Sequence, residues 1–380
     1  MNIKLIGHRC LSQYGALQQT AGAYAETYGK NGGIVDGDER DVFVMQDTTV
    51  SYNPANSLWE RTDKPGRDIS DLTYPELNKK LKTTPDKEEK WFLDRIGGRE
   101  ELEKLGAKKD EIEFILGLLE KTGIEKDNFK LRTTRNGDYI PKLDDMVPPP
   151  GKIVLFDLKV QLGQGPDIKS NFKTATEQTV ESLLDWVQRH NLHEKNRNEL
   201  VIGNTTFLDP WKREMASGIV RDYLSRRGLD GIKLSDSTHC YKWSSDDPSD
   251  PQRHFVMDTE DKQRLQRMKN DYGVSYLLPD LTGATNQCLR LAHELNFNVI
   301  PSPAAGPFVT SADLEKDLGH PTNQGETKYL FETKTTLVEQ LFLMMRRMQF
   351  VKENPTNTHL NGFMVEDITC AQAARARILG

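Results

Sequence analysis

Three short polar segments in the sequence each follow an apolar run that is typical of a β-strand. The residues in them that could do chemistry are His8, Arg9, Glu39, Asp41, Asp157 and Lys159. A histidine, two carboxylates two residues apart and a separate Asp-x-Lys are groups with which a protein can hold one hard cation against a phosphate. These residues therefore predict phosphodiester chemistry.

The spacing of the acidic residues favours a metal site. Residues i and i+2 of a strand share a face, so Glu39 and Asp41 can present two carboxylates side by side. Asp157, at the end of a different strand, can supply a third oxygen ligand. Such an oxygen-only set suits Mg²⁺, before Ca²⁺ or Mn²⁺. Arg9 and Lys159 would add cationic contacts to the phosphate oxygens.

His8 is the candidate for proton transfer, because the unperturbed pKa of histidine lies near neutrality. A single histidine after a strand is more often a structural hydrogen-bonding residue. The segment Glu39-Arg40-Asp41 alone could likewise be a solvated cluster of charges. The placement of all three segments at strand ends favours the functional interpretation.

Eight apolar runs are candidates for the strands that must position these residues. They cover residues 4–7, 34–42, 153–159, 200–203, 231–234, 274–278, 297–301 and 362–365. Helical stripes lie between several of them, as at Val180 to Val187 and Leu337 to Met348. Strands that alternate with helices indicate parallel βαβ units. Eight of them predict an α/β protein, a closed (β/α)8 TIM barrel.

The chain is interpreted as one domain, residues 1–380, because barrels with insertions reach about 400 residues. A helical insertion is predicted at residues 85–135, between the second and third strands, from an amphipathic pattern around Ile112. Two long segments, residues 235–257 and 302–333, follow the fifth and seventh strands. As βα loops they are expected to shape a substrate pocket on the catalytic face.

The charge and hydropathy of the sequence indicate which kinds of partner are not expected. The 57 acidic and 51 basic side chains are spread along the chain, with a formal charge of −6. Without a dense basic stretch, nucleic acid is not expected as a partner. No run reaches the ~20 apolar residues of a membrane span, and Met1 leads into a strand without an export leader. We therefore expect a cytoplasmic protein with no membrane anchor.

Several segments follow one another in a distinctive order: His8-Arg9, Gln18-Gln19-Thr20, Glu39-Arg40-Asp41-Val42, Arg61-Thr62-Asp63, Ile69 to Leu77 and Ile140 to Asp145. Taken together, they resemble the glycerophosphodiester phosphodiesterase superfamily. The third strand, Leu155 to Lys159, is more similar to the related sphingomyelinase D-type phospholipases D. Leu229 to Ile232 and Asn361 to Asp367 show weaker similarity to the same superfamily.

The resemblance implies a (β/α)8 barrel, a divalent metal on Glu39, Asp41 and Asp157, and His8 as an acid–base residue. One position departs from the family pattern, because Asn53 stands where that pattern has a second histidine. An amide cannot exchange a proton near neutral pH. Asn53 could therefore orient a phosphate oxygen or a water, but it could not act as a base.

Other residues could take the place of the missing histidine. His239, in the loop after the fifth strand, is the best-placed substitute, with His254 behind it. An ordinary role as a polar loop residue is still the better interpretation of each. Gln46 and Asp47 could also be a degraded form of the missing motif in a different register.

The loop after the fifth strand also carries candidate substrate contacts. His239, Lys242 and Trp243 could place an aromatic platform and hydrogen-bonding groups around a sugar. They could equally belong to a solvated loop with one packed tryptophan. The expected partner is a small phosphorylated substrate, built on a sugar or a polyol.

Three functions remain open. The first is a metal-dependent enzyme that cleaves or transfers a phosphodiester. The second joins a phosphorylated sugar or polyol to a second alcohol, for which the superfamily's synthases of sugar-phosphodiester opines such as agrocinopine are a precedent. The third is a catalytically silent barrel that only binds a phosphorylated ligand or a protein partner. Retention of all three carboxylates, His8 and Lys159 argues against the third.

Overall fold

The computed structural model describes most of the chain, including the strands of a central parallel sheet. The described residues are 2–10, 13–16, 20–29, 35–45, 48–51, 73–80, 85–131, 139–160, 168–194, 197–203, 210–236, 241–243, 255–257, 262–303 and 335–380.

Strands and helices alternate through most of the described residues. The strands are Lys4–Gly7 (β1), Gly37–Val44 (β2), Thr49–Ser51 (β3), Ile153–Leu158 (β4), Glu199–Gly203 (β5), Lys233–Asp236 (β6), Tyr241–Trp243 (β7), Phe255–Met257 (β8), Val274–Leu277 (β9), Asn298–Val299 (β10) and Gly362–Val365 (β11). The α-helices are Ala21–Gly29 (α1), Tyr74–Lys80 (α2), Pro85–Asp94 (α3), Arg99–Lys104 (α4), Lys109–Thr122 (α5), Ile168–Arg189 (α6), Pro210–Arg227 (α7), Lys262–Tyr272 (α8), Asn286–Glu294 (α9), Leu337–Glu353 (α10) and Ile368–Leu379 (α11).

Eight of the described strands form one parallel sheet, in the order β10-β9-β6-β5-β4-β2-β1-β11. Its two outer strands meet, because the backbone N–H of Asn361 donates to Val299 O at 2.9 Å and that of Met364 donates to Pro301 O at 2.8 Å. The sheet therefore closes on itself. The predicted (β/α)8 barrel is confirmed, and each of the eight predicted strands overlaps a strand of the barrel.

Alternation along the strands divides the core into two layers. Side chains that point inward form one apolar cluster, consisting of Ile6, Ile153, Leu155, Val201, Tyr276, Leu278, Ile300 and Met364. Side chains that point outward pack against the helices in a larger cluster, which includes the predicted stripe on α10. At the N-terminal end of the barrel, Lys4 Nζ donates to Glu199 Oε2 at 2.7 Å, and Tyr276 donates to the same carboxylate.

β2 carries charged residues along much of its length, yet it is a buried strand of the barrel wall. Its outward residues Asp38 and Arg40 bond to each other, with 2.5 Å between Arg40 Nε and Asp38 Oδ2. The guanidinium also lies 5.7 Å from the ring centroid of Trp186 on α6. The ion pair with Asp38 and the contact with Trp186 stabilise the outward charge of Arg40. Because side chains alternate along a strand, Glu39 and Asp41 face the interior.

β2 begins at Gly37 and not at residue 34, as the apolar pattern predicted. A Cβ at Gly37 would lie 2.0 Å from the carbonyl oxygen of Ile153 on β4. Only glycine permits the two strands to approach this closely at the start of their pairing.

Helices α3, α4 and α5 lie in the segment predicted as an insertion. Of these, α4 packs on α10, and α5 packs on both α10 and α11. Arg346 on α10 donates to Glu111 on α5 at 2.9 Å. We call residues 85–131 the helical segment; residues 132–135 of the prediction lie outside the described residues. The bounds of the insertion and the single domain over residues 1–380 stay predictions.

The expected pocket loops are described only in part. In the loop after β6, β7 and β8 pair as an antiparallel hairpin, with Trp243 opposite Phe255. Most of the segment 302–333 lies outside the described residues. Among the helices that the structure describes, none is both long and apolar enough to cross a membrane.

Candidate functional site

Six of the residues predicted from the sequence lie together where β1, β2 and β4 lead towards the C-terminal end of the barrel. They are His8, Arg9, Glu39, Asp41, Asp157 and Lys159. The chain leaves β1 through a short 3-10 turn, His8–Cys10, in which Arg9 has a left-handed backbone with φ of 51°. This conformation costs a non-glycine residue about 1 kcal/mol. It places the backbone N–H of Arg9 where it donates to Glu39 Oε2 at 2.9 Å. The turn is thereby bonded directly to the acidic strand.

Glu39, Asp41 and Asp157 converge as one buried group of carboxylates. One oxygen from each lies within 4.8 Å of the others, and all three side chains are buried. The parallel pairing of β2 and β4 explains the convergence, because Asp41 and Asp157 are register partners and Glu39 lies two residues before Asp41. The three residues could hold a divalent cation.

Lys159 lies against the same group. Its ammonium donates to Asp157 and lies 2.9 Å from Asp41 Oδ1. Burial lowers the pKa of Lys159, but the charges of Asp157, Asp41 and Glu39 outweigh it, and the net shift is upward. The lysine is therefore a permanent cation among the carboxylates.

The positive charges of Lys159 and Arg9 do not fully neutralise the three carboxylates, and we call these five groups the acidic cluster. Burial raises the pKa of Glu39 well above its ordinary range, and the charges of Asp41 and Asp157 add to the shift. Lys159 and Arg9 act in the opposite direction without reversing it. With all five groups ionised, the cluster has one excess negative charge, which a bound cation would stabilise.

The donor set fits a hard divalent ion. Ligands on opposite sides of one ion are about 4.2 Å apart for Mg²⁺ and about 5 Å apart for Ca²⁺, from oxygen distances of about 2.1 and 2.5 Å. The carboxylate oxygens lie within 4.8 Å of one another, which is close enough for all three to contact one such ion. Carboxylate oxygens are also the ligands that these ions and Mn²⁺ prefer.

His8 is buried beside the acidic cluster. Burial and the neighbouring charge of Arg9 lower the pKa of His8 to about 4, although Glu366 and Asp41 act to raise it. The imidazole is therefore neutral near pH 7. A neutral imidazole has one ring nitrogen that can accept a proton and one that donates.

Glu366 belongs to this site, although the sequence reasoning assigned it no role. It follows β11 directly, and its Oε1 lies 3.7 Å from His8 Nδ1. Its carboxylate accepts hydrogen bonds from Arg95 at 3.1 Å and from Gln340 at 3.3 Å. A polar residue immediately after a predicted strand is the signal that identified the other residues, and it would also have identified Glu366.

The structure describes the remaining predicted site residues only in part. Lys242 and Trp243 lie in β7, on the loop that follows β6, and only their backbone is described. Asn53, His239 and His254 lie outside the described residues. Their assigned roles stay predictions.

Comparison with known proteins gives a match in structure alone. No protein-family model and no curated protein matches the sequence. A solved structure described as a candidate glycerophosphoryl diester phosphodiesterase from Silicibacter pomeroyi DSS-3 aligns with a TM-score of 0.51 and 14% identity, over 99% of this chain and 94% of that chain. The predicted resemblance is confirmed as a shared fold.

Two further structures align over the whole chain with lower scores. One is described as a candidate glycerophosphodiester phosphodiesterase from Galdieria sulphuraria, with a TM-score of 0.47 and 12% identity over 100% of this chain and 99% of that one. The other is a candidate glycerophosphoryl diester phosphodiesterase from Agrobacterium tumefaciens, with a TM-score of 0.46 and 11% identity over 99% and 98%.

Proposed function

We propose that the chain is a divergent member of the glycerophosphodiester phosphodiesterase superfamily and catalyses metal-dependent phosphodiester chemistry. The observation that carries this proposal is the buried group of Glu39, Asp41 and Asp157, with Lys159 among them, at the C-terminal end of a (β/α)8 barrel. Active sites of such barrels lie at this end. A buried excess of acidic groups has a high energetic cost and is retained where it binds a cation.

The charge balance of the site suits a phosphodiester. The three carboxylates exceed the charges of Lys159 and Arg9 by one, so a bound divalent cation makes the whole site positive. When bound, such a cation supplies Lewis-acid stabilisation to phosphate oxygens. Lys159 and Arg9 then contact the remaining oxygens, and Arg9 is anchored for this role through its backbone bond to Glu39.

His8 carries the proton in the proposed reaction. A hydroxyl group of water or of an alcohol attacks phosphorus while the bond from phosphorus to one ester oxygen breaks. The neutral imidazole accepts the proton of the attacking hydroxyl and passes it to the departing oxygen, which leaves as an alcohol. The low pKa of His8 keeps the base unprotonated at neutral pH. Asn53 is proposed to orient a phosphate oxygen or a water, since a side-chain amide neither gains nor loses a proton near neutral pH.

Mg²⁺ is the proposed metal, with Ca²⁺ and Mn²⁺ as alternatives, because all three assigned ligands are carboxylates. The proposed substrate is a small phosphodiester of a sugar or polyol that is met in the cytoplasm. His239, Lys242 and Trp243, on the loop after β6, are proposed to contact its organic part.

The products of the reaction test this proposal. The protein would be incubated with Mg²⁺ and a mixture of sugars, sugar phosphates and glycerophosphodiesters, and phosphorus-31 NMR would follow the products. A new monoester or cyclic phosphate establishes cleavage. A new diester establishes transfer to a second alcohol, as in an opine synthase. An unchanged spectrum for all probes contradicts an enzymatic function and favours a barrel that only binds a phosphorylated ligand.

A further inference from the structure

Glu366 lies beside His8 because their strands are neighbours in register. β1 and β11 pair in parallel with Gly7 opposite Val365, so His8 and Glu366 follow directly at the same level of the barrel. The distance from His8 Nδ1 to Glu366 Oε1 is 3.7 Å, and both side chains are buried. A shift of less than about 1 Å would bring the two atoms into hydrogen-bond distance.

Two other elements hold the Glu366 carboxylate in place. Arg95, just after α3 in the helical segment, donates to Oε1, and Gln340 on α10 donates to Oε2. Burial raises the pKa of Glu366, but Arg95 and His8 outweigh it and lower the value to about 2. Arg95 is itself fixed, since its carbonyl accepts a 2.7 Å bond from the backbone N–H of Leu337 at the start of α10.

The held carboxylate can select one tautomer of His8. A carboxylate only accepts hydrogen bonds, so the ring nitrogen that faces it must carry the hydrogen. Within the residues that the structure describes, Nδ1 of His8 forms no hydrogen bond that would compete for this role. The hydrogen then lies on Nδ1, and Nε2 keeps the lone pair that accepts a proton.

We propose that Glu366 and Arg95 are positioning residues that hold His8 in its Nδ1–H tautomer, so that the helical segment supports proton transfer without contacting the substrate. The proposal rests on the function proposed above, in which His8 is the base. It gives the helical segment a part in the reaction, through the contacts from Arg95 to Glu366 and from Glu366 to His8.

The test uses nitrogen-15 NMR of the histidine rings in the whole protein, without metal or substrate, with His8→Asn to assign the His8 signals among those of 8 histidines. The wild type is expected to show hydrogen on Nδ1 and a bare Nε2. Glu366→Leu is expected to populate both tautomers and to lower kcat at least about 10-fold with little change in KM. Glu366→Gln retains an oxygen acceptor and is expected to recover most of the single tautomer.

Glu111→Leu is the matched control, because it breaks another ion pair between the helical segment and α10, with Arg346. It should leave the His8 tautomer and kcat unchanged. Hydrogen on Nε2 in the wild type would overturn the proposal even if Glu366→Leu fails to fold. An unchanged tautomer in a folded Glu366→Leu protein would overturn it as well.

The positioning role of Glu366 and the proposed phosphodiester chemistry can be contradicted independently of each other. A wild type with the expected tautomer but no phosphodiester turnover would contradict the proposed function alone. Turnover that depends on Asp41 but not on Glu366 would contradict the positioning role alone.

Discussion

Asp41 and Asp157 are directly opposite each other on the parallel strands β2 and β4. Their carboxylates point to the same side of the barrel wall, and the ammonium of Lys159 contacts both. Strand register alone thus creates a pair of like charges that needs a cation. The stability of the metal-free protein should report on this arrangement.

Replacement of Lys159 by methionine should destabilise the metal-free protein by about 3 kcal/mol, because it leaves buried carboxylates without their cation. Mg²⁺ should restore part of the loss, since it would take over the role of the ammonium. Urea unfolding in EDTA and in excess Mg²⁺ measures both effects. Lys104→Met, which breaks an exposed pair with Glu100, is the control and should change neither value. Equal loss with and without Mg²⁺ would contradict a cation site.

Replacement of Glu39 by glutamine should stabilise the metal-free protein by about 1 kcal/mol at pH 7 while weakening Mg²⁺ binding. The pKa of Glu39 is raised above its ordinary value of 4.5, so its contribution to stability is present below pH 4.5 and is lost as the pH rises. The gain from Glu39→Gln should therefore grow above pH 4.5. Urea unfolding between pH 4 and 8 measures it, with exposed Glu120→Gln as control. A loss of stability at pH 7 would contradict the electrostatic account.

His8 should make the protein less stable in acid. Its pKa is about 4 in the folded state against an ordinary value of 6.5, so between these values the unfolded chain binds a proton that the folded chain does not. Its contribution to stability is full above pH 6.5 and falls with pH until about 4, by up to about 3 kcal/mol. His8→Asn should flatten this part of the curve, and exposed His193→Asn should not. Identical curves for the wild type and His8→Asn would contradict burial of a neutral imidazole.

The sequence was sufficient to predict the barrel because its strands are short apolar runs separated by helical stripes. It was less accurate at β2, which begins at Gly37 and not at residue 34. The alternative of a solvated charge cluster does not apply there, because Arg40 bonds to Asp38 within the helix layer. The hairpin of β7 and β8 and the short strand β3 were not predicted, because three-residue strands have too few positions to show a period.

Some residues of the candidate site could also be predicted from the sequence, and others could not. Glu39 and Asp41 share a face through their spacing, and Asp157 joins them because β4 is the next strand of the sheet. Arg95, Gln340 and Glu366 could not be predicted to meet, since nearly 250 residues separate Arg95 from Gln340 and only the closure of the barrel and the packing of α10 bring them together. Local pattern identifies ligands on paired strands but not contacts between distant helices.

The most direct test of the central claim follows phosphodiester turnover by phosphorus-31 NMR with a glycerophosphodiester probe, for the wild type and Asp41→Asn, each in Mg²⁺ and in EDTA. Glu199→Gln, at the opposite end of the barrel, serves as the control. We predict turnover by the wild type and by Glu199→Gln in Mg²⁺ only, and a loss of at least about 100-fold in Asp41→Asn. Turnover that persists in EDTA, or that is equal in Asp41→Asn and the wild type, would contradict a reaction that depends on a cation held by Glu39, Asp41 and Asp157.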